Sequence, residues 1–332
     1  MKRTAVLCSL LLACAAIAAP VKAQDAGQRE IPRWITDEGR RAMFPTAQYV
    51  SQCAHGTDAE EARSRAAATI SAYIKTAVHS EMTAHRTAQK DGDGTTWQQT
   101  IEETVRRSSD NELYQLEFTA AWYDTEQNAF ACVAYIDRER AFAFVRPKLE
   151  NAAQLFPAEY GKALQTADRF QKVLAVRRCQ KLLEPFYAVY DFARAINAEK
   201  AAEYESLDRL ARASYATADE LAAQTTIGVS AEGDRNGLIK GTLERILADK
   251  GFSVVADGQG DYQIRANVTA DIRQTQRVFV SYPSVTVEIR SKSGTVASYA
   301  GTAEKAAGFD RETAERAACS MAAKHLAEHF LR

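Results

Sequence analysis

The stretch Tyr49-Val50-Ser51-Gln52-Cys53-Ala54-His55-Gly56 runs straight into Thr57-Asp58-Ala59-Glu60, and this junction decides the fold class. The first eight residues favour a strand and stop at a glycine. The next four open a helix. Thr57 and Glu60 have the spacing of a capping box, in which hydroxyl and carboxylate satisfy amide donors that a helix start leaves open. Ala62, Ala66, Ile70, Tyr73, Ile74 and Ala77 then recur at helical spacing and define one buried stripe. Its small alanines let the helix approach a sheet closely. A strand feeding a long amphipathic helix calls for a mixed α/β module.

Further along, residues 88–96 read as a loop and Trp97 to Arg107 as a helical or mixed segment. Tyr114, Leu116 and Phe118 alternate with polar residues, Asp124 to Asn128 turns the chain, and Phe130, Cys132, Ala134 and Ile136 alternate on the way back. Asp137 starts another helix. Residues 31–146 therefore read as one small α/β domain, entered through Ile31-Pro32-Arg33-Trp34. Residues 147–224 read as a helical connector, which Pro147, Pro157 and Pro185 are expected to break into pieces.

A second domain, residues 225–332, opens with a strand at Thr226 to Ser230. Asp234 caps a helix with Leu238, Leu243, Ile246 and Leu247 on one side, and Lys250-Gly251 ends it. Phe252 to Val255, Tyr262 to Asp271 and Val278 to Arg290 give strands, and Ser293-Gly294 turns a hairpin into Val296 to Ala300. A closing helix, Arg311 to Leu331, is capped by Asp310. The whole reads as an α+β protein, two small α/β modules joined by a helical connector.

The N-terminus carries an address. Lys2 and Arg3 precede an apolar run, Ala5 to Ala19, broken only by Ser9, and Val21-Lys22-Ala23 places small residues where a signal peptidase reads. Residues 1–23 are thus expected to be a signal peptide, with a mature start at Gln24 and a soluble protein in the periplasm. A rival stands beside this reading. Leu11-Leu12-Ala13-Cys14 resembles a relaxed lipobox, which would anchor the chain by a lipid on Cys14 at the outer membrane. The apolar run is too short for a membrane span of about 20 residues.

Without Lys2, Arg3 and Lys22, 39 basic residues face 43 acidic ones, a formal charge of −4. Such a balance has no electrostatic footprint for nucleic acid. Cys53, Cys132, Cys179 and Cys319 lie beyond the signal. An even count in an oxidising compartment favours disulfides, with three connectivities open. Cys53 and Cys132 sit in expected neighbouring strands of the first domain and are the expected pair, two buried thiols being the alternative. Cys179 and Cys319 fall in expected helices.

Few patterns point to chemistry. His325-Leu326-Ala327-Glu328-His329 matches H-x-x-E-H, in which two histidines one helical turn apart bind zinc. It supports an alternative reading as a metal-dependent hydrolase, against a solvated helix end whose histidines suit the helix dipole. Asp91, Asp93, Thr95 and Glu102 fall at positions 1, 3, 5 and 12 of a calcium loop, yet Thr96 stands where the sharp turn needs glycine. The chain has no G-x-S-x-G, P-loop or G-x-G-x-x-G motif. No enzyme and no cofactor are expected.

Pro32-x-Trp34, Phe44-Pro45, Tyr49 to Gly56 and the Ala-rich run Asp58 to Ala77 together resemble the lipoprotein-20-like bacterial envelope domain. Asp137-Arg138 stands where that family begins a helix after its hairpin. The same fold is similar to the N-terminal domain of flagellar assembly protein T, whose middle domain resembles the N-terminal domain of the Tol-Pal translocation protein. Gly237, Leu238, Leu247, Gly251-Phe252 and Asp261 to Ile264 resemble that second module. The long helical connector departs from the pattern. The resemblance implies a non-enzymatic binding or assembly protein of the cell envelope. Its partners would be other envelope proteins, outer-membrane or flagellar-assembly components among them, and it carries over no catalytic residue.

Overall fold

The computed structural model describes residues 31–88, 114–275 and 277–331, with the backbone alone over 78–88. The signal segment, Cys14 and the acidic residues of the calcium-loop pattern lie outside these residues. The chain divides into two compact units, one ending at Met43 and one running from Phe44 to Arg332. The described part of the first is a single 3-10 turn, Arg33–Ile35, and helix α1, Asp37–Met43. Between them the Thr36 hydroxyl oxygen accepts the Gly39 amide at 3.1 Å.

The second unit opens on an antiparallel sheet of β1 (Tyr49–Gly56), β2 (Leu116–Phe118), β3 (Trp122–Asp124) and β4 (Ala129–Asp137). Strand β4 is central, with β1 on one side and β2 and β3 on the other. Helix α2 (Ala59–Ala88) lies on one face, burying Ala62, Ala66, Ile70 and Ile74. Tyr73 is 44% exposed, because a four-residue step from Ala62 reaches Ile74 and leaves position 73 to one side. The helix start is also shifted by one residue from the expected box. Asp58 accepts the Glu61 amide at 2.8 Å, and the Glu61 carboxylate accepts the Thr57 amide and hydroxyl, both at 2.6 Å. Asp is as good an N-cap as Thr, and Glu61 then stands three residues on. These bonds hold the Glu61 carboxyl below the usual carboxylate range.

Five helices follow: α3 (Arg138–Leu164), α4 (Arg169–Gln180), α5 (Glu184–Ile196), α6 (Ala198–Ala201) and α7 (Glu205–Ala223). Asp137 caps α3 by accepting the Arg140 amide at 3.0 Å. Contrary to expectation, Pro147 and Pro157 lie inside α3 without ending it. Both prolines are exposed, and the carbonyl freed one turn before Pro147, that of Ala143, belongs to an exposed residue where water can bond it. Pro185 sits in the first turn of α5, where its missing amide costs nothing. Leu149 and Phe156 of α3, Phe186 and Val189 of α5 and Leu207 of α7 join Val50, Ile70 and Ile136 in one apolar core.

The larger sheet comprises β5 (Thr226–Glu232), β6 (Ser253–Val255), β7 (Tyr262–Thr275), β8 (Val278–Ser291), β9 (Gly294–Thr302) and β10 (Ala306–Gly308). Its order is β6-β5-β7-β8, with β9 and β10 both paired to β8. Strand β5 is parallel to β6 and β7, whereas the later pairs are antiparallel. Helices α8 (Leu238–Asp249) and α9 (Arg311–His329) pack on one face, over Ile227, Val229, Ile264, Val285 and Ile289. The other face presents Arg265, Asn267, Thr286 and Ser298 and is polar, as an antiparallel sheet with one wet side should be.

Helix α8 buries Ile239, Leu243 and Leu247, while Leu238 is exposed. A 3-10 turn at Arg235–Gly237, with left-handed Asn236, resets the phase before the helix begins. Asp234 still caps it, accepting the Ile239 and Lys240 amides at 3.0 and 2.9 Å. Asp310 caps α9 by accepting the Thr313 amide at 2.7 Å.

Gly56 closes β1 against the start of α2: a Cβ there would stand 2.4 Å from the Ala62 amide nitrogen. We expect Gly56→Ala to destabilise the fold by about 1–3 kcal/mol. Gly161, exposed in α3 with nothing within 4 Å of an added Cβ, should respond with the opposite sign, gaining about 0.5–1 kcal/mol in Gly161→Ala. Urea unfolding of the two variants checks the pair.

Candidate functional site

The expected cysteine pair is not brought together. Cys53, Cys132, Cys179 and Cys319 are all thiols in the structure. Strands β1 and β4 are neighbours, as expected, but the register sets Cys53 opposite Val133 and Cys132 opposite Ala54. Residues opposite each other share a face and successive residues alternate, so the two thiols point to opposite sides of the sheet. A one-residue offset separates them. The Cys132 thiol donates to the Thr119 carbonyl at 3.4 Å, and burial pushes its pKa up. Burial likewise pushes the Cys179 thiol up to about 11.

The Asp137-Arg138 pair proves structural. The Arg138 guanidinium donates to the Thr46 carbonyl at 2.9 Å and to the Ala195 and Ile196 carbonyls, tying the end of β4 to the end of α5.

His325 and His329 lie on one face of α9, their rings 4.5 Å apart. The Tyr299 hydroxyl is 2.8 Å from His325 Nε2, and the ring of His325 lies over Gly301, where a Cβ would come within 2.4 Å of it. His325 is thereby packed onto β9. Among the described residues no cluster of three His, Cys, Asp or Glu side chains could hold a metal ion. His329 lies 3.9 Å from the Glu328 carboxylate on one side and borders a cluster of cations on the other.

That cationic surrounding is a cavity of about 470 Å³ between the C-terminal half of α4, the ends of α8 and α9, and the helix-side face of β8 and β9. Arg177, Arg178 and Lys181 reach it from α4 and the turn beyond, Lys250 from the end of α8, and His329 from α9. Leu174, Ile289 and Phe330 supply an apolar flank. Arg177 donates to Asp219 of α7 at 3.2 Å and lies against Gly251. Among the described residues Arg178, Lys181 and Lys250 have no carboxylate within salt-bridge distance. Burial, with Arg177 and Lys181 nearby, holds the Lys250 ammonium below its usual pKa, and burial also lowers that of Arg177. The carboxyl of Asp219 is raised by burial, against the pull of Arg177.

Sequence reading missed this site. Its one local signal was Arg177-Arg178 and Lys181 within four helical positions of a supposed connector, and Lys250 served only as a helix-end residue. A shallower, polar depression of about 960 Å³ lies across β5, β7, β8 and β9, lined by Ser230, Arg265, Asn267 and Glu288 among others.

No family model and no curated protein matches the chain. Among solved structures, a secreted protein from Helicobacter pylori is 14% identical and aligns over 86% of this chain and 99% of its own, with a TM-score of 0.33. A minor lipoprotein from Acinetobacter baumannii is 11% identical over 32% of this chain and 91% of its own, with a TM-score of 0.25. A PelC dodecamer from Paraburkholderia phytofirmans is 18% identical over 32% and 85%, with a TM-score of 0.22. Likeness at this level assigns no activity.

Lys250 gives the cavity a thermodynamic signature. A lysine whose folded pKa lies below the unfolded value near 10.5 destabilises the fold while charged, and the penalty fades as pH rises from the folded pKa towards 10.5. Lys250→Gln should therefore melt higher than wild type at pH 7, with the difference shrinking as pH climbs. Parallel thermal melts across pH test this, and a lower melting temperature at pH 7 would contradict it.

Proposed function

We propose that this chain is an exported, non-enzymatic protein of the cell envelope that binds or helps assemble other envelope components. The N-terminal segment supports the address. The observation that carries the binding role is the outer edge of β9. This edge is nine residues long, Gly294-Thr295-Val296-Ala297-Ser298-Tyr299-Ala300-Gly301-Thr302, and contains no charge and no proline. Among the described residues β9 pairs only with β8.

Sheet edges offer a row of unpaired amides and carbonyls, and proteins that avoid association guard them with lysine, proline or very short strands. Strand β9 has no lysine and no proline and is of ordinary length; a bulge at Val296, between the Thr295–Arg290 and Ala297–Ile289 pairs, interrupts it near its start and leaves Ala297 to Thr302 as the regular edge. It suits strand addition, in which an extended segment of a partner supplies main-chain bonds and alternate side chains set specificity. Among the described residues no helix is long and apolar enough to cross a membrane, so the described fold itself offers no helical span for attachment.

A photo-crosslinking residue at Ala300, compared with one at Lys240 on α8, tests the reading in cells. We expect an adduct with an envelope protein from position 300 and none from 240, on a chain whose mature N-terminus is Gln24 by mass spectrometry. An unprocessed chain in the cytoplasm, or equal adducts from both positions, would sink it. A diacylglyceryl group on Cys14 would instead place the same chain at a membrane surface.

A further inference from the structure

The cavity between α4, α8 and α9 holds more positive charge than its own residues neutralise. Arg177, Arg178, Lys181 and Lys250 bring four positive charges, and Asp219 removes one. Cations commonly sit at helix C-termini because each end carries about −0.5 of a charge. That preference accounts for each of these residues singly, and three such ends offset about 1.5 charges between them. An excess of roughly 1.5 positive charges remains around an open recess, with Arg178 and Lys181 exposed at its rim and Arg177 and Lys250 half-buried, and a phosphate monoester carries about −1.5 to −2 at neutral pH.

The chemistry of the walls narrows the ligand further. Arginine and lysine donors suit an oxyanion with several acceptor oxygens. The volume is that of a small-molecule site and exceeds what a bare oxyanion fills, and the wall formed by Leu174, Ile289 and Phe330 is apolar. A metal cation is disfavoured by the same charges, so the neighbouring histidines do not change the sign of the site. The pKa of Lys250 is lowered first by burial and then by the neighbouring charges of Arg177 and Lys181.

We propose that this cavity binds an organic phosphate monoester, with the phosphate among Arg178, Lys181 and Lys250 and the organic body against Leu174, Ile289 and Phe330. Binding relieves the repulsion among the cations, so the ligand stabilises the fold as well as occupying the recess. The inference does not rest on the cellular address or on the β9 edge.

The test uses the whole exported chain with inorganic phosphate and hexyl phosphate as probes, in calorimetry and thermal melts against sodium chloride of equal ionic strength. Hexyl phosphate should bind more tightly than phosphate. Both should raise the melting temperature of wild type and of Lys305→Gln, a surface control. In the Lys181→Gln, Lys250→Gln double variant affinity should fall by about tenfold or more, equivalent to about 1.4 kcal/mol. Arg178→Gln serves as a second, independent variant in case the double variant folds poorly.

A parallel arm distinguishes the source of the phosphate. Sedimentation with phosphatidylcholine vesicles containing phosphatidic acid, lost in the double variant, identifies a lipid headgroup. Binding of the soluble probes without vesicle binding identifies a free metabolite. Absence of any effect beyond chloride, or binding of probes or vesicles that persists undiminished in folded variants, overturns the proposal.

Discussion

The hydroxyl of Tyr262 lies where the two sheets' supporting structures meet. It donates to Asp168 at 3.0 Å and accepts the Phe170 amide at 3.2 Å, while Asp168 caps α4 by accepting the Gln171 amide. The ring of Phe170 stacks on Phe252 with centroids 5.2 Å apart and lies 5.7 Å from that of Tyr262. Through these contacts the start of α4 is locked to the larger sheet. The same helix places Val176 and Cys179 in the core built around the smaller sheet and Phe170 and Val173 in the other. A helix apolar on two sides belongs to an interior, and α4 connects the two cores as a shared strut.

The cationic cavity follows from that constraint. With two faces of α4 committed to apolar cores, Arg177, Arg178 and Lys181 are left to the remaining side and the C-terminal turn. The ends of α8 and α9, fixed by their own packing on the larger sheet, complete the recess. The Arg177–Asp219 bond joins α4 to α7, so the wall nearest the charge is braced from behind.

Much of the fold was legible where one local rule acts alone. The caps at Asp137, Asp234 and Asp310 and the Asp124–Asn128 turn are short-range signals, and the structure follows them, whereas along β4 the expected alternation gives way to a continuous buried run, Ala131-Cys132-Val133-Ala134. Errors came where a second rule of equal strength competed. Asp58 displaced Thr57 as cap, and exposed positions let α3 run through Pro147 and Pro157. Strand adjacency was readable for β1 and β4, but their register was not, and a single residue decided whether Cys53 could meet Cys132. The cavity was not legible because its residues come from three helices far apart in sequence, and no period or spacing links Arg178 with Lys250.

Strand β9 bears on both sides of this arrangement. Ala297 and Tyr299 line the cavity on the helix side, Tyr299 meets His325, and the strand's outer edge carries no charge. With the cations gathered around the recess and the edge left neutral, the charge that would take up a phosphate and the edge that would accept a strand are kept apart. Had even one of those lysines projected from β9, it would have guarded the edge against pairing and drained charge from the cavity. The histidines fit the same logic: His325 seats α9 on β9 over Gly301, and His329 lies at the rim of the recess.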